Sequence, residues 1–242
     1  SRIAPVFSYQ TWFNVGSRDE APGKSGLAHL FEHMMFKGTK SRPQGVFDRT
    51  MESAGARDLN AFTSLDYTAY VASLPVGELD LVAELESDRM VGLRLTKEQF
   101  ESEREVVQNE RKQTMENNPE GQMYEELQRL AYTKHAYGRP VIGFGEDLDR
   151  MTTADCVDFY RANYAPDRAV ICVSGALDPK LGGTQLLNKN REYVTVSANV
   201  NPAVYANSRR SIYLPVVRSA SGKRSSKLGV VTSRPSESSE RP

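Results

Sequence analysis

The chain has two cysteines, three histidines and one tryptophan in 242 residues, and nowhere a run approaching the roughly 18 apolar residues of a membrane-spanning helix. Two cysteines cannot form a disulfide framework. Cys172 sits in the apolar run AVICV and Cys156 near the start of a helical stretch without a metal-ligating neighbour, so both read as structural thiols. The opening SRIAPVFSYQ lacks the basic-then-apolar layout of a signal peptide. It also lacks an initiator Met and reads as a fragment, which leaves cytoplasm or periplasm open for a bacterial protein.

What remains is ordinary for a globular protein: 39% hydrophobic and 26% charged residues, enough for one sizeable core or two small ones. The net charge of zero hides an asymmetry. Residues 208–242 hold eight Lys or Arg against two Glu, leaving 23 basic and 29 acidic residues before them. That basic end carries ten serines and few large apolar groups, too little burial to offset its ordering entropy, so a disordered tail is expected. Without a pattern of interleaved aromatic residues, no nucleic-acid partner is expected.

YQTWFNVGS (9–17) reads as a strand entering a turn, and a helix is expected from about Ser25 to Lys37, with Gly38 as its cap. VFDRTMESAG predicts a short helix, and LNAFTSLDYTAYVASLP (59–75) an antiparallel hairpin turning at SLD. Further helices are expected over GELDLVAELESDRMVG, from Thr96 with a Thr96–Gln99 capping box, over Gln122–Tyr132 and over Thr153–Asn163. DRAVICVSGAL reads as a buried strand. Strands and helices in separated runs predict an α+β fold, an antiparallel sheet with helices packed on one face.

Within GLAHLFEHMMFKGT, His29 and His33 stand four apart, about 40° around a helix and one turn up, with Glu32 beside them. Two imidazoles on one face suit zinc, and a catalytic zinc takes three protein ligands and leaves a fourth position for water. The helix from Thr96 offers Glu103 and Glu110, seven residues and about 20° apart; either could reach the metal. Val106 and Val107 occupy the strip between them, so this helix is expected to bury that side. HxxEH is the inverted order of the HExxH zinc-peptidase motif.

Several segments in order, VGSRDE, GLAHLFEHMMFKGT, NAFTSLDYTAY, ESDRM, EREVVQNERKQ, YGRPVIG and MTTADCVDFYRANYAPDRAVICVSG, resemble the pitrilysin and mitochondrial processing peptidase family, the inverzincins. The resemblance is to the N-terminal catalytic half of a bacterial-type member and spans about residues 5–177. It implies one half-unit of the processing-peptidase-like fold, one zinc per chain held by His29, His33 and Glu110, and Glu32 as general base. Glu103 is implied on the catalytic side as a supporting carboxylate rather than a main ligand. Asn60, Ala61 and Phe62 match the family's substrate-side edge strand, where an extended peptide adds as a further strand. For Phe62 a core position is the favoured expectation, and for Asn60 substrate contact. His135, in KHAYGRP, is expected to be a loop residue.

Past about Asp178 the match stops: 178–207 reads as a divergent segment, consistent with a frameshift, with VTVSANV as a short strand. A family member would continue into a second, similar half that closes over the substrate. The implied function is a zinc-dependent endopeptidase acting on peptides or small unfolded proteins, completed by a second homologous half or subunit. The alternative is a non-catalytic scaffold subunit or an inactive remnant of the same family.

Overall fold

The computed structural model describes residues 4–165, 168–176, 195–200 and 212–213. Alternation builds its sheet. In β1 (Val6–Phe13) Phe7, Tyr9, Thr11 and Phe13 are buried, while Ser8, Gln10 and Trp12 turn to the other face. β1 pairs antiparallel with β3 (Thr68–Pro75) on one side and β4 (Ala169–Gly175) on the other, and β2 (Arg57–Thr63) pairs antiparallel with β3. β4 alternates too, with Ala169, Ile171 and Val173 buried and Val170 exposed. The strand expected to be buried is therefore two-faced, with one face in the core and the other, at Val170, exposed.

The sheet order is β2-β3-β1-β4-β5-β6, with β5 (Thr195–Val200) and β6 (Ile212–Tyr213) added beyond β4. β5 runs parallel to β4, which departs from an all-antiparallel sheet. The α+β class and the antiparallel pairing are as expected, and the antiparallel part of the sheet has the order β2-β3-β1-β4. Apart from β5 and β6, the expectations for 178–207 and the tail 208–242 lie outside the described residues. β2 forms one edge and has no partner on its outer side among the described residues.

The helices α1 (Leu27–Met34), α2 (Val46–Ser53), α3 (Leu79–Gly92), α4 (Lys97–Arg111), α6 (Gly145–Arg150) and α7 (Thr153–Asn163) contribute buried residues to the core, and α5 (Pro119–Ala131), which buries none, follows α4. Among the described residues no helix is long and apolar enough to cross a membrane. α1 is shorter at both ends than its hydrophobic pattern suggests. Its start is fixed by a backbone-to-backbone approach: Gly26 (φ 90°) and Gly143 (φ 86°) are both left-handed, and a Cβ on Gly143 would lie 2.3 Å from the Ser25 carbonyl oxygen. Ser25 locks the approach, its hydroxyl donating to Asp147 at 2.5 Å and accepting the Phe144 N–H at 2.9 Å.

Because Gly26 brings no side chain to cap α1, the cap comes from a distance. The buried Glu20 carboxylate accepts the Ala28 N–H at 2.8 Å. Burial raises this group to about 8, against the backbone N–H groups of Ala28 and Gly26 that favour its charged form. Glu20→Ala should destabilise the fold by about 1 kcal/mol or more, whereas Glu20→Gln, which keeps the acceptor, should stay close to wild type in urea unfolding. At the far side of α1, Phe31 packs on Tyr160 and Tyr164 of the α7 region, with ring centroids 5.4 and 4.2 Å away. α1 is thus clamped at its start and along its length.

Candidate active site

α1 sorts its side chains by face. Leu27, Leu30, Phe31 and Met34 recur at helical spacing and fill the core, which turns His29, Glu32 and His33 towards β2 and α4. The Thr96–Gln99 capping box starts α4 as expected. The side-chain nitrogen of Gln99 then reaches across to the Lys37 carbonyl at 2.7 Å and ties α4 to the end of α1. α4 buries Phe100, Glu103, Val107 and Arg111, one stripe along its length. Val106 does not share it and is 45% exposed, a correction to the expectation that both valines lie on the buried strip.

This crossing brings both α4 carboxylates to the histidines. His33 Nδ1 lies 3.4 Å from Glu103 Oε2, and His33 Nε2 lies 3.6 Å from Glu110 Oε2. His29 Nε2 lies 3.8 Å from Glu110 Oε1. One donor atom each from His29, His33 and Glu110 fall within 4.8 Å of one another. Two imidazoles and a carboxylate are a donor set zinc accepts, and tetrahedral zinc ligands stand about 3.3 Å apart. The gaps of 3.6 and 3.8 Å run to the two different oxygens of Glu110, and with a single donor atom from each residue the spacing reaches up to 4.8 Å, so binding would draw the three side chains together by up to about 1.5 Å. Among the described residues His29 Nδ1 is buried without a hydrogen-bond partner, and the ring's polar contact with Glu110 is made through Nε2.

The electrostatics suit a cation. Burial holds His29 down to about 4 and keeps the ring neutral. Burial also disfavours charge on His33, but Glu103 and Glu110 outweigh it and hold the ring up at about 9, a proton that a metal would displace. The contact with His33 in turn lowers Glu110. Burial pushes Glu103 up, and His33 and Lys37 bring it below the ordinary carboxylate range. Glu32, 8% exposed, is raised by burial, against a hydrogen bond from Thr63 that favours the carboxylate.

Two neighbours escaped the sequence reading. Lys37 lies three residues past the end of α1, and its Nζ holds Glu103 Oε1 at 2.6 Å, leaving Oε2 for His33. With a dication present, Lys37 balances the three carboxylates Glu32, Glu103 and Glu110. Lys37→Met should therefore weaken zinc binding about 10-fold or more, and Lys37→Arg should retain most of it, as read by competition with a chromophoric chelator. Arg111 donates to the Gly143 carbonyl at 2.6 Å and pairs with Glu125 at 3.0 Å, fixing the end of α4 beside Glu110.

Asn60, Ala61 and Phe62 lie on the edge strand β2. Ala61 packs against the core side, and Asn60 is exposed, its Oδ1 accepting the Ala61 N–H at 2.9 Å. Phe62 does not enter the core: it is 37% exposed on the open face of the sheet, 5.6 Å from the Trp12 ring. Period-two alternation forces this, since Leu59 and Ala61 take the helix side. Thr63, the next residue, is the one that reaches the site. His135 stays in a loop, capping the short turn Ala136–Gly138. Cys156 is buried and pushed up to about 12, which fits an inert thiol.

A profile of the family described as Insulinase (Peptidase family M16) matches residues 4–145, more than half of the chain. The chain belongs to this insulinase family. The zinc protease PqqE of Helicobacter pylori is 37% identical over 170 residues, covering 70% of this chain and 38% of that protein. The beta subunit of the human mitochondrial-processing peptidase is 34% identical over 166 residues, 69% of this chain and 34% of its own. The crystal structure of a protease from Helicobacter pylori matches with a TM-score of 0.75 and 34% identity, over 77% of this chain and 45% of that one. This insulinase-family chain thus spans less than half the length of each of these relatives, and at the level of the family they are proteases, among them proteins named zinc proteases.

Proposed function

We propose that the chain is the catalytic half of a zinc-dependent endopeptidase, cutting peptides or small unfolded proteins. The observation that carries this reading is the convergence of His29, His33 and Glu110 on one spot, with the buried Glu32 between the histidines. His29, His33 and Glu110 would hold one zinc, and Glu103 and Lys37 would orient His33. When bound, zinc supplies Lewis acidity, acidifying a water and polarising the peptide carbonyl. Glu32 accepts the water's proton, for which its burial-raised proton affinity suits it, and delivers it to the leaving amine.

Among the described residues the outer edge of β2 has no strand partner, and an extended peptide would add there as a further strand beside Asn60, Ala61 and Phe62, displacing the Asn60 side chain from the Ala61 N–H. A second homologous half, from a partner or from additional chain, would close over that strand and exclude water. The intact donor set supports this reading over a scaffold role. The test is metal analysis and cleavage of a quenched unstructured peptide, with and without a separately expressed C-terminal half of a relative. One zinc per chain, with cleavage lost to a chelator and restored by zinc, is the expected result; a chain that purifies without zinc and takes up none would overturn the reading.

A further inference from the structure

Glu32 must keep one oxygen aimed at the water while the other is held still. Thr63 Oγ1 donates to Glu32 Oε2 at 2.5 Å, and among the described residues Oε1 has no hydrogen-bond partner. Thr63 is itself well fixed. It is the last residue of β2, opposite Thr68, whose hydroxyl is buried and donates to the Val15 carbonyl at 3.0 Å. One residue on, Ser64 closes the hairpin by donating its N–H to the Tyr67 carbonyl at 2.8 Å, and its own carbonyl accepts the Ser17 N–H at 3.1 Å. The donor is therefore delivered from a rigid strand end rather than a loop.

We infer that Thr63 is a positioning residue: its hydroxyl orients the Glu32 carboxylate and couples it to the edge strand that receives the substrate. This rests on the proposed peptidase reading for its consequence, but not for its geometry. Replacement by Val keeps the shape and strand preference of Thr and removes only the donor. Replacement by Ser keeps the donor. A merely structural Thr63 would tolerate Val better than Ser in a strand, so the two substitutions separate the roles.

The experiment has two arms on the full chain. In the first, the metal-free protein is labelled at threonine and its hydroxyl protons are followed by NMR. The Thr63 hydroxyl should exchange slowly with water, and Glu32→Ala should abolish that protection. In the second, Thr63→Val in the zinc-loaded protein should lower kcat about 10- to 100-fold with KM and zinc content unchanged, and Thr63→Ser should restore most of kcat. A freely exchanging Thr63 hydroxyl in the wild type, or a Thr63→Val protein with wild-type kcat, would overturn the inference. A wild type that holds no zinc and cuts nothing would sink the peptidase reading instead, and the hydroxyl signal alone would then decide whether Thr63 holds Glu32.

Discussion

Glu32→Gln is expected to keep one zinc per chain and to lower kcat by about 10²- to 10⁴-fold, the usual contribution of a general base. Gln matches Glu in shape and can still accept the Thr63 hydroxyl, so the fold and the seat of the side chain should survive. It cannot take a proton from water. Glu32 is not among the three residues whose donor atoms converge, so its charge is not expected to be needed to hold a metal. The prediction is checked by metal analysis beside steady-state kinetics on the same preparation. A variant with zinc and undiminished kcat would remove Glu32 from the chemistry; a variant without zinc would make it a ligand or a structural necessity.

The split between metal and base reflects what was legible in the sequence. α1 carries two patterns at once: Leu27, Leu30, Phe31 and Met34 state which face is buried, and His29, Glu32 and His33 are left facing outward from it. That much follows from periodicity. Whether Glu103 or Glu110 meets the histidines does not, because seven residues on a helix return to nearly the same face. The crossing of α1 and α4 separates them: Glu103 meets His33 at Nδ1 and the Lys37 ammonium, and Glu110 meets both rings at Nε2.

Long-range decisions were the illegible ones. The parallel pairing of β5 with β4 joins segments whose local pattern says nothing of direction. Phe62 looked like a core residue by its bulk, yet its place in the alternation of β2 puts it outside, against Trp12 and Tyr67. The role of Glu20 as a cap appears only once Gly26 is seen to open α1 without a side chain. Thr63 was hidden in the same way, since a hydroxyl beside a carboxylate is set by the packing of a strand on a helix.

The second large effect falls on the ligands. Glu110→Ala and His33→Ala should each reduce zinc from one per chain to a small fraction of that in protein dialysed against metal-free buffer, and abolish cleavage with it. Either change leaves two of the three donors that a catalytic zinc needs. The two variants should differ in stability. Glu110 is partly exposed and its loss leaves α4 capped and anchored through Arg111, so unfolding should shift little. His33 is the partner of the buried Glu103, and its loss leaves that carboxylate to Lys37 alone. His33→Ala should therefore unfold at lower urea than Glu110→Ala, by about 1–3 kcal/mol for a buried charged group that loses a hydrogen-bond partner. Full zinc occupancy in either variant would refute the ligand assignment, and equal stability of the two would mean that Lys37 alone satisfies Glu103.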